Sequence, residues 1–211
     1  MGYYPIVLEL NERRCVVIGG GAVAERKVAA LVQTGARVTV IAPELTANLA
    51  DWSQRKSIHV ITRAYRPGDL AGCEIAFVAT DDPQVNAAAH KEGKSRGVWV
   101  NTADDPAHCD FILPSVLRRG TLTVAISTGT ASPALARTVR EELENYFSDD
   151  YEIVARLAAE VRRELRARGI VPGYEDWRKA LTGELRRWVK RGELHRAKDR
   201  LLKELGAMSC K

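Results

Sequence analysis

The chain has 211 residues, which is enough for one large domain or two small ones with a sizeable core. Its composition, 45% apolar and 28% charged, is ordinary for a globular protein, and no apolar run approaches the ~20 residues that cross a bilayer. The N-terminus lacks a basic stretch followed by an apolar one, so the expected location is the cytoplasm, without membrane association. The cysteines are widely spaced and are expected to be reduced thiols: Cys15, Cys73, Cys109 and Cys210.

The formal net charge of +5 is unevenly distributed along the chain. Residues 1–150 carry 16 Lys and Arg against 18 Asp and Glu, whereas residues 151–211 carry 16 against 9. A basic tail of this kind can attract nucleic acid, an anionic membrane or a polyanionic small molecule. Charge alone favours the simpler interpretation, a solvated face of surface helices.

The first half of the chain alternates between strand and helix patterns. A β-branched apolar run at 14–18 is followed by three glycines, a helical apolar pattern over 22–33 and a second strand at 37–41. This is a βαβ unit of the usual length. Further strands are predicted around 58–62, 74–79 and 98–101, with helices near 45–55 and 83–95 between them. The alternation predicts a parallel sheet covered by helices on both faces.

The pattern changes near residue 111. Strands are predicted at 111–117 and 121–127, joined across Arg118-Arg119-Gly120 as a hairpin. Ser132-Pro133 then starts an amphipathic helix to about Phe147, because Ser suits the N-cap and Pro the first helical position. From Tyr151 the pattern is helical, with a break at Gly169–Gly173. We therefore predict an α/β domain at 1–112, a small β-hairpin and helix region at 113–150 and an α-helical domain at 151–211.

The glycine loop Gly19-Gly20-Gly21-Ala22-Val23-Ala24 matches G-x-G-x-x-(G/A) between a strand and a helix. Gly19 permits the tight turn, Gly21 lets the backbone approach a pyrophosphate, and Ala24 lets the helix pack closely on the strand. Free N–H groups and the helix dipole would then face the phosphates. The α/β domain is therefore predicted to be of the Rossmann type and to bind a nicotinamide dinucleotide, against the alternative of a purely structural glycine turn.

Other residues at the strand ends complete the predicted cofactor site. Glu44, which follows Pro43 after the second strand, could accept a hydrogen bond from the ribose 2′-OH, which would favour NAD over NADP. The alternative is that Glu44 caps the next helix. Thr80 and Asn101 are predicted to face the cofactor crevice, because ligands of open α/β sheets bind beyond the carboxyl ends of the strands. Asp81 and Asp82 are expected to cap the helix after Thr80.

The turn after the fifth strand carries the candidate acid–base residues. Asp104 would lie on the cofactor side, where a carboxylate could take up a proton while a hydride leaves. His108 follows closely and could be a base or a metal ligand. From the residues alone neither assignment is strong, because an Asp pair before Pro106 is often turn chemistry and a lone loop His is often a hydrogen-bonding partner.

Six ordered motifs together resemble the precorrin-2 dehydrogenase family, which also occurs as the N-terminal module of sirohaem synthases. The likeness is close over residues 1 to about 150 and loose over the tail. The motifs are Pro5-Ile6, Gly19-Gly20-Gly21-x-Val23-Ala24-Glu25-Arg26-Lys27, Ala79-Thr80-Asp81-Asp82, Asn101 with Asp104, Phe111-Ile112-Leu113-Pro114-Ser115, and Ala125-Ile126-Ser127-Thr128-Gly129-Thr130-x-Ser132-Pro133-x-Leu135-Ala136-Arg137.

The resemblance implies NAD-dependent oxidation of precorrin-2 to sirohydrochlorin in sirohaem biosynthesis. Some family members also insert ferrous iron, so iron is a second expected substrate if this activity is present. The resemblance further implies a homodimer in which the segment after residue 111 crosses between subunits, making 113–150 a dimerisation region. The methyltransferase module of trifunctional relatives is not part of this sequence.

The resemblance also assigns roles to individual positions. Asp104 matches the proposed catalytic aspartate for both activities, and the cofactor contacts fall on Ala22, Val23, Pro43 and Glu44. Ser115, Thr128 and Arg137 are expected to contact the tetrapyrrole. Thr128 occupies a position that is a phosphorylated serine in some relatives. No metal-binding residue is predicted.

One feature of the expected substrate bears on the charges of this chain. Precorrin-2 carries eight carboxylates, and burying such groups requires cationic partners, for which Arg118, Arg119, Arg137 and the basic tail are available.

Two alternative functions remain. One is a dehydrogenase without chelatase activity, and the other is a non-catalytic NAD(H)-sensing regulator that contacts nucleic acid through the tail. The regulator is disfavoured and nucleic acid is not an expected partner, because no helix-turn-helix pattern stands out in 151–211 and the first half is acidic.

Overall fold

The structure is a computed structural model that describes residues 2–206, so Cys210 lies outside the described part of the chain. The chain divides into two compact units, one ending at Leu113 and the other beginning at Pro114. They are called the first and second units below, and each is described by itself. The further predicted boundary at residue 150 stays a prediction.

The first unit is a five-stranded parallel sheet with the strand order β3-β2-β1-β4-β5. Three helices and a 3-10 turn at Pro106–His108 complete it. In chain order the elements are β1 Arg14–Ile18, α1 Ala22–Val32, β2 Arg37–Ile41, α2 Ala47–Gln54, β3 His59–Ile61, β4 Ile75–Val78, α3 Pro83–Arg96 and β5 Trp99–Thr102. The predicted parallel sheet is confirmed, with element ends that differ by a few residues.

Both faces of this sheet are buried, as expected for a parallel sheet between helices. Alternate side chains of β1 enter opposite cores: Cys15 and Val17 pack with α1, whereas Val16 and Ile18 pack with residues that include Ala89 of α3. Successive side chains of a strand point to opposite faces, so a continuous apolar run is needed to fill both cores.

The second unit begins with the antiparallel hairpin formed by β6 Ser115–Arg119 and β7 Leu122–Ile126. The predicted hairpin is present, but the predicted bounds of its first strand, 111–117, and of its turn, Arg118–Gly120, are wrong. Arg118 and Arg119 pair with Thr123 and Leu122 inside the strands, and Gly120-Thr121 forms the turn. The tight turn centres on Gly120 because its φ is +56°, which glycine adopts without a Cβ clash.

Helices make up the rest of the second unit, and Ser132 caps the first of them by accepting from the Leu135 N–H, as predicted. The core beyond the hairpin is formed by one stripe of α5, at Leu157, Val161 and Leu165, against the last three helices. Of the described helices, none is long and apolar enough to cross a membrane. The helices are α4 Pro133–Tyr146, α5 Asp150–Ala167, α6 Tyr174–Ala180, α7 Gly183–Lys190 and α8 Leu194–Glu204.

Candidate functional site

The candidate site lies at the carboxyl ends of β1 and β4. The chain runs from β1 outward to β3 on one side, and returns to β4 and β5 on the other side, so these neighbouring strands form the switch point of the sheet. Connections leave such a point in opposite directions and open a crevice where ligands of α/β sheets bind. The glycine loop connects β1 to α1 at this crevice.

At two positions of the loop only glycine fits, because a Cβ there would collide with the backbone of the protein. Gly19 has a φ of +117°, and a Cβ there would lie 2.1 Å from the carbonyl oxygen of Ala79. A Cβ on Gly20 would lie 1.9 Å from the carbonyl oxygen of Glu44. The role predicted for Gly19 is therefore supported sterically. The role of Gly20 escaped the sequence argument, because its neighbour Glu44 is distant along the chain.

Gly21 differs from both, because a Cβ there would meet no protein atom within 4 Å. It is the N-cap of α1, and its carbonyl accepts the first helical bond from Glu25. The amides of residues 22–24 consequently have no partner inside the helix. Open space above Gly21, next to unpaired donors at the positive end of a helix dipole, fits an approaching pyrophosphate. Ala24 is fully buried, as its packing role requires.

Glu44 and Pro43 are exposed beyond β2, beside the glycine loop. The alternative that Glu44 caps the next helix is wrong, because the hydroxyl of Thr46 accepts from the Leu49 N–H and caps α2. Among the described residues, the Glu44 carboxylate has no hydrogen-bond or ion-pair partner. It is therefore available to a ribose hydroxyl.

Thr80 follows β4 at the same edge of the sheet. Its hydroxyl accepts a 2.9 Å hydrogen bond from the Asp82 N–H and so shapes the turn into α3. Asp82 caps α3 by accepting from the N–H groups of Gln84 and Val85, as expected, whereas Asp81 is not the cap. Cofactor contact by Thr80 stays a prediction.

Asn101 lies within β5 and is only 7% exposed. Its amide donates to the Phe111 carbonyl over 2.9 Å, and its oxygen accepts from the Lys27 ammonium over 3.2 Å. Asn101 thus joins the segment after β5 to α1. Direct contact between Asn101 and the cofactor stays a prediction.

Lys27 is a site residue for which sequence reasoning gave no role. Its ammonium lies over the Phe77 ring, 5.2 Å from the centroid. Burial lowers its pKa, while the nearby Cys109 and Asp104 act in the opposite direction. The sequence does contain a sign of this role, because Lys27 lies between Ala24 and Leu31 on the apolar stripe of α1, where a charged residue is unusual.

Asp104 is exposed in the turn after β5 and has a φ of +57°. A non-glycine residue in this left-handed region carries local strain, and such residues cluster at functional sites. Among the described residues no hydrogen bond or ion pair fixes its carboxylate. Asp104 and Lys27 are close enough for the carboxylate to stabilise the ammonium.

The neighbouring Asp105 has a structural partner. Its carboxylate lies 2.6 Å from Nδ1 of His108, and this hydrogen bond lowers the pKa of Asp105. The His108 ring also makes an edge contact with His90, with centroids 5.1 Å apart. No group of three or more potential metal ligands occurs among residues 2–206. His108 is therefore an oriented imidazole, while Asp104 is the unpartnered carboxylate.

Three predicted substrate residues lie in the second unit. Ser115 is the first residue of β6. The Thr128 hydroxyl donates to the Ser132 carbonyl over 2.8 Å and accepts from the Ser132 N–H over 3.2 Å, and thereby closes the turn before α4. Arg137 is exposed on α4 and pairs with Glu141 over 2.9 Å. Their contact with substrate stays a prediction.

Comparisons with known proteins agree with this geometry. A family model described as "Putative NAD(P)-binding" matches residues 6–115, and a model of the sirohaem biosynthesis protein central region matches residues 119–146. The siroheme synthase of Nitrosococcus oceani is 38% identical over 95% of this chain, and that of Chromobacterium violaceum is 35% identical over 98%. The chain spans only 43% and 44% of those two relatives.

One solved structure resembles this chain over the full length of the solved protein. SirC, precorrin-2 dehydrogenase, has a TM-score of 0.79 and 28% sequence identity, with 94% of this chain and 100% of that chain covered. The matches confirm the NAD-binding Rossmann-type domain predicted from the glycine loop. The chain therefore belongs to the precorrin-2 dehydrogenase and sirohaem synthase family that its motifs resemble, and carries an NAD(P)-binding domain at residues 6–115.

Proposed function

We propose that the protein oxidises precorrin-2 to sirohydrochlorin with NAD as the acceptor. The observation that carries the proposal is the exposed Asp104 carboxylate, which has no hydrogen-bond or ion-pair partner among the described residues, at the edge of a sheet whose glycine loop fits a dinucleotide. Support comes from the likeness to SirC, precorrin-2 dehydrogenase, over the full length of that protein.

Different residues of the first unit bind different parts of the cofactor. The unpaired amides of residues 22–24 donate to the pyrophosphate, and the carboxylate of Glu44 accepts from the ribose 2′-OH. That carboxylate would repel a 2′-phosphate, so NAD is favoured over NADP. NAD supplies the hydride acceptor when bound.

Asp104 handles the proton. Oxidation removes a hydride and a proton from the macrocycle, and a carboxylate at the reacting edge is a sufficient base. The Lys27 ammonium, held by Asn101, attracts the nearby Asp104 carboxylate, whose charge in turn raises the pKa of Lys27. Lys27 is thus a positioning residue that acts through Asp104.

The variant Asp104→Asn tests this role. Asn tolerates the left-handed backbone, so the fold and the Kd for NAD should stay unchanged. NADH formation from precorrin-2 should fall about 10²- to 10⁴-fold because the base is lost. Asp51→Asn, which removes a surface carboxylate paired with Arg55, is the matched control and should keep full activity. Unchanged turnover in Asp104→Asn would show that Asp104 is not the base. Wild-type protein that binds NAD but does not oxidise precorrin-2 would instead favour an NAD(H)-sensing regulator.

We infer insertion of ferrous iron into sirohydrochlorin as a second candidate activity. The observation that favours it is the imidazole of His108, oriented by Asp105 next to Asp104 in the same turn. Chelation requires a base to remove the two inner protons of the macrocycle. Purified protein with sirohydrochlorin and Fe²⁺ should form sirohaem faster than the uncatalysed reaction, and His108→Gln should slow it while dehydrogenation continues. A rate equal to the protein-free reaction would leave the dehydrogenase alone.

We also propose a homodimer formed through the second unit. A two-stranded hairpin leaves both of its strand edges unpaired, and apolar side chains are exposed on this region, including Val116 at 37% and Leu135 at 53%. Sedimentation should give a dimer for the wild type and a monomer for Leu135→Glu. A wild-type monomer at assay concentration would contradict the proposal.

A further inference from the structure

A groove in the second unit is lined by arginines. It has a volume of about 720 Å³ and runs between one face of α5 and the hairpin turn Gly120-Thr121. Arg156, Arg163 and Arg166 recur at helical spacing along this face, with Arg162 beside them. From the rise of an α-helix, the stripe from Arg156 to Arg166 extends about 15 Å. The groove therefore presents an extended cationic wall rather than a single charge.

The carboxylates of α5 do not neutralise this wall. Glu160 accepts a hydrogen bond from Lys198 over 2.5 Å, and Glu164 pairs with Lys198 and with Arg168. Arg156 and Arg163 act on Glu160 only as more distant charges. Among the described residues, none of the four groove arginines makes a hydrogen bond or an ion pair. Glu152 is the one acidic side chain that lines the groove.

This arrangement costs stability unless an anion is present. Like charges three or four residues apart on a helix repel, as Arg163 and Arg166 do here. All four cations are arginines, whose planar guanidinium groups bind carboxylates through two parallel hydrogen bonds. None of the described residues that line the groove is aromatic and could stack against a base, which disfavours single-stranded nucleic acid. The chemistry fits a small molecule with several spaced carboxylates.

We propose that this arginine groove is a binding site for a polycarboxylate. Identification of the ligand as a polycarboxylate tetrapyrrole, substrate or product, rests on the proposed function, whereas binding of a multiply charged anion follows from the groove alone. The site is additional to Ser115, Thr128 and Arg137, none of which lines it.

The test measures binding of uroporphyrin, an octacarboxylate, to the full chain by fluorescence. In the variant Arg163→Gln/Arg166→Gln the Kd should rise about tenfold or more, because two charge-assisted contacts are lost. The control Arg187→Gln/Lys203→Gln removes the same charge from exposed positions of α7 and α8 and should change the Kd less than about twofold. Protoporphyrin, with two carboxylates, should bind more weakly than uroporphyrin. Equal melting temperatures verify folding.

Several results would overturn the proposal. These are an unchanged uroporphyrin Kd in the groove variant, an equal loss in the control, or tighter binding of pyrophosphate or an RNA duplex than of uroporphyrin. The proposed function is tested separately by NADH formation from precorrin-2. Wild-type protein that binds uroporphyrin through the groove but forms no NADH would overturn the proposed dehydrogenase activity and support the binding site. Wild-type protein that forms NADH but does not bind uroporphyrin through the groove would overturn the binding site and support the dehydrogenase activity.

Discussion

Adding one methyl group to the glycine loop should separate cofactor binding from folding. In Gly21→Ala the new Cβ meets no protein atom within 4 Å, and the backbone is not left-handed. The lower preference for Ala at an N-cap is offset by the reduced entropy of the unfolded chain, so the melting temperature should change by less than about 3 °C. The methyl occupies the space assigned to the pyrophosphate, and overlap there costs about 1–3 kcal/mol. The Kd for NAD should therefore rise about 5- to 150-fold.

Gly20→Ala is the matched comparison, because its Cβ collides with the protein itself. The new atom would lie 1.9 Å from the Glu44 carbonyl oxygen and 2.9 Å from the Cβ of Ala42. Both neighbours follow a buried strand and move only with backbone distortion, which we expect to cost about 3 kcal/mol. The melting temperature of the first unit should fall by roughly 10 °C.

Calorimetric melting and NAD titration by calorimetry measure both effects. The two substitutions add the same atom one residue apart, so differences in their outcomes arise from position alone. Wild-type NAD affinity in Gly21→Ala would refute the assignment of the open space to the pyrophosphate. A wild-type melting temperature in Gly20→Ala would refute the steric argument for the loop.

Three further outcomes are expected. Lys27→Met removes a charge that burial disfavours but leaves the side-chain oxygen of the buried Asn101 without its donor, so the melting temperature should change little, whereas kcat should fall at least about tenfold. An unchanged kcat would contradict the positioning role of Lys27. Burial raises the pKa of Glu92, but hydrogen bonds from donors that include the Tyr65 hydroxyl and the Gly68 N–H outweigh burial and hold the pKa below 4.5. This carboxylate therefore stabilises the fold above that pH, and the stabilisation is lost as the pH falls through the folded-state pKa. The melting temperature of Glu92→Gln should depend less on pH than that of the wild type between about pH 5 and 3, and parallel curves for the two proteins would count against this network. Burial and Glu74 raise the pKa of Cys15 to about 11, so this thiol should react with a disulfide reagent at neutral pH only after unfolding, which timed labelling with and without denaturant would measure.

Most of the first unit could be predicted from local pattern. Continuous apolar strands, helical periodicity and the glycine loop each depend on residues near in sequence, and they predicted the parallel sheet and the NAD(P)-binding domain correctly. The hairpin was predicted, but its turn was placed too early in the chain because Arg118 and Arg119 resemble turn residues when the sequence is considered alone. Their pairing is decided by Gly120, the residue of the turn with a positive φ.

The family, the dinucleotide loop and Asp104 as the candidate base could be identified from residue types at short spacings along the chain. Which groups are free to act depends on the packing of the folded chain. In the described part of the chain, Asn101 bonds to Lys27 and Phe111, Thr46 rather than Glu44 caps α2, and the Asp104 carboxylate has no hydrogen-bond or ion-pair partner. Those outcomes depend on contacts between residues far apart in the chain. Such contacts form when strands and helices pack, and no local pattern encodes them.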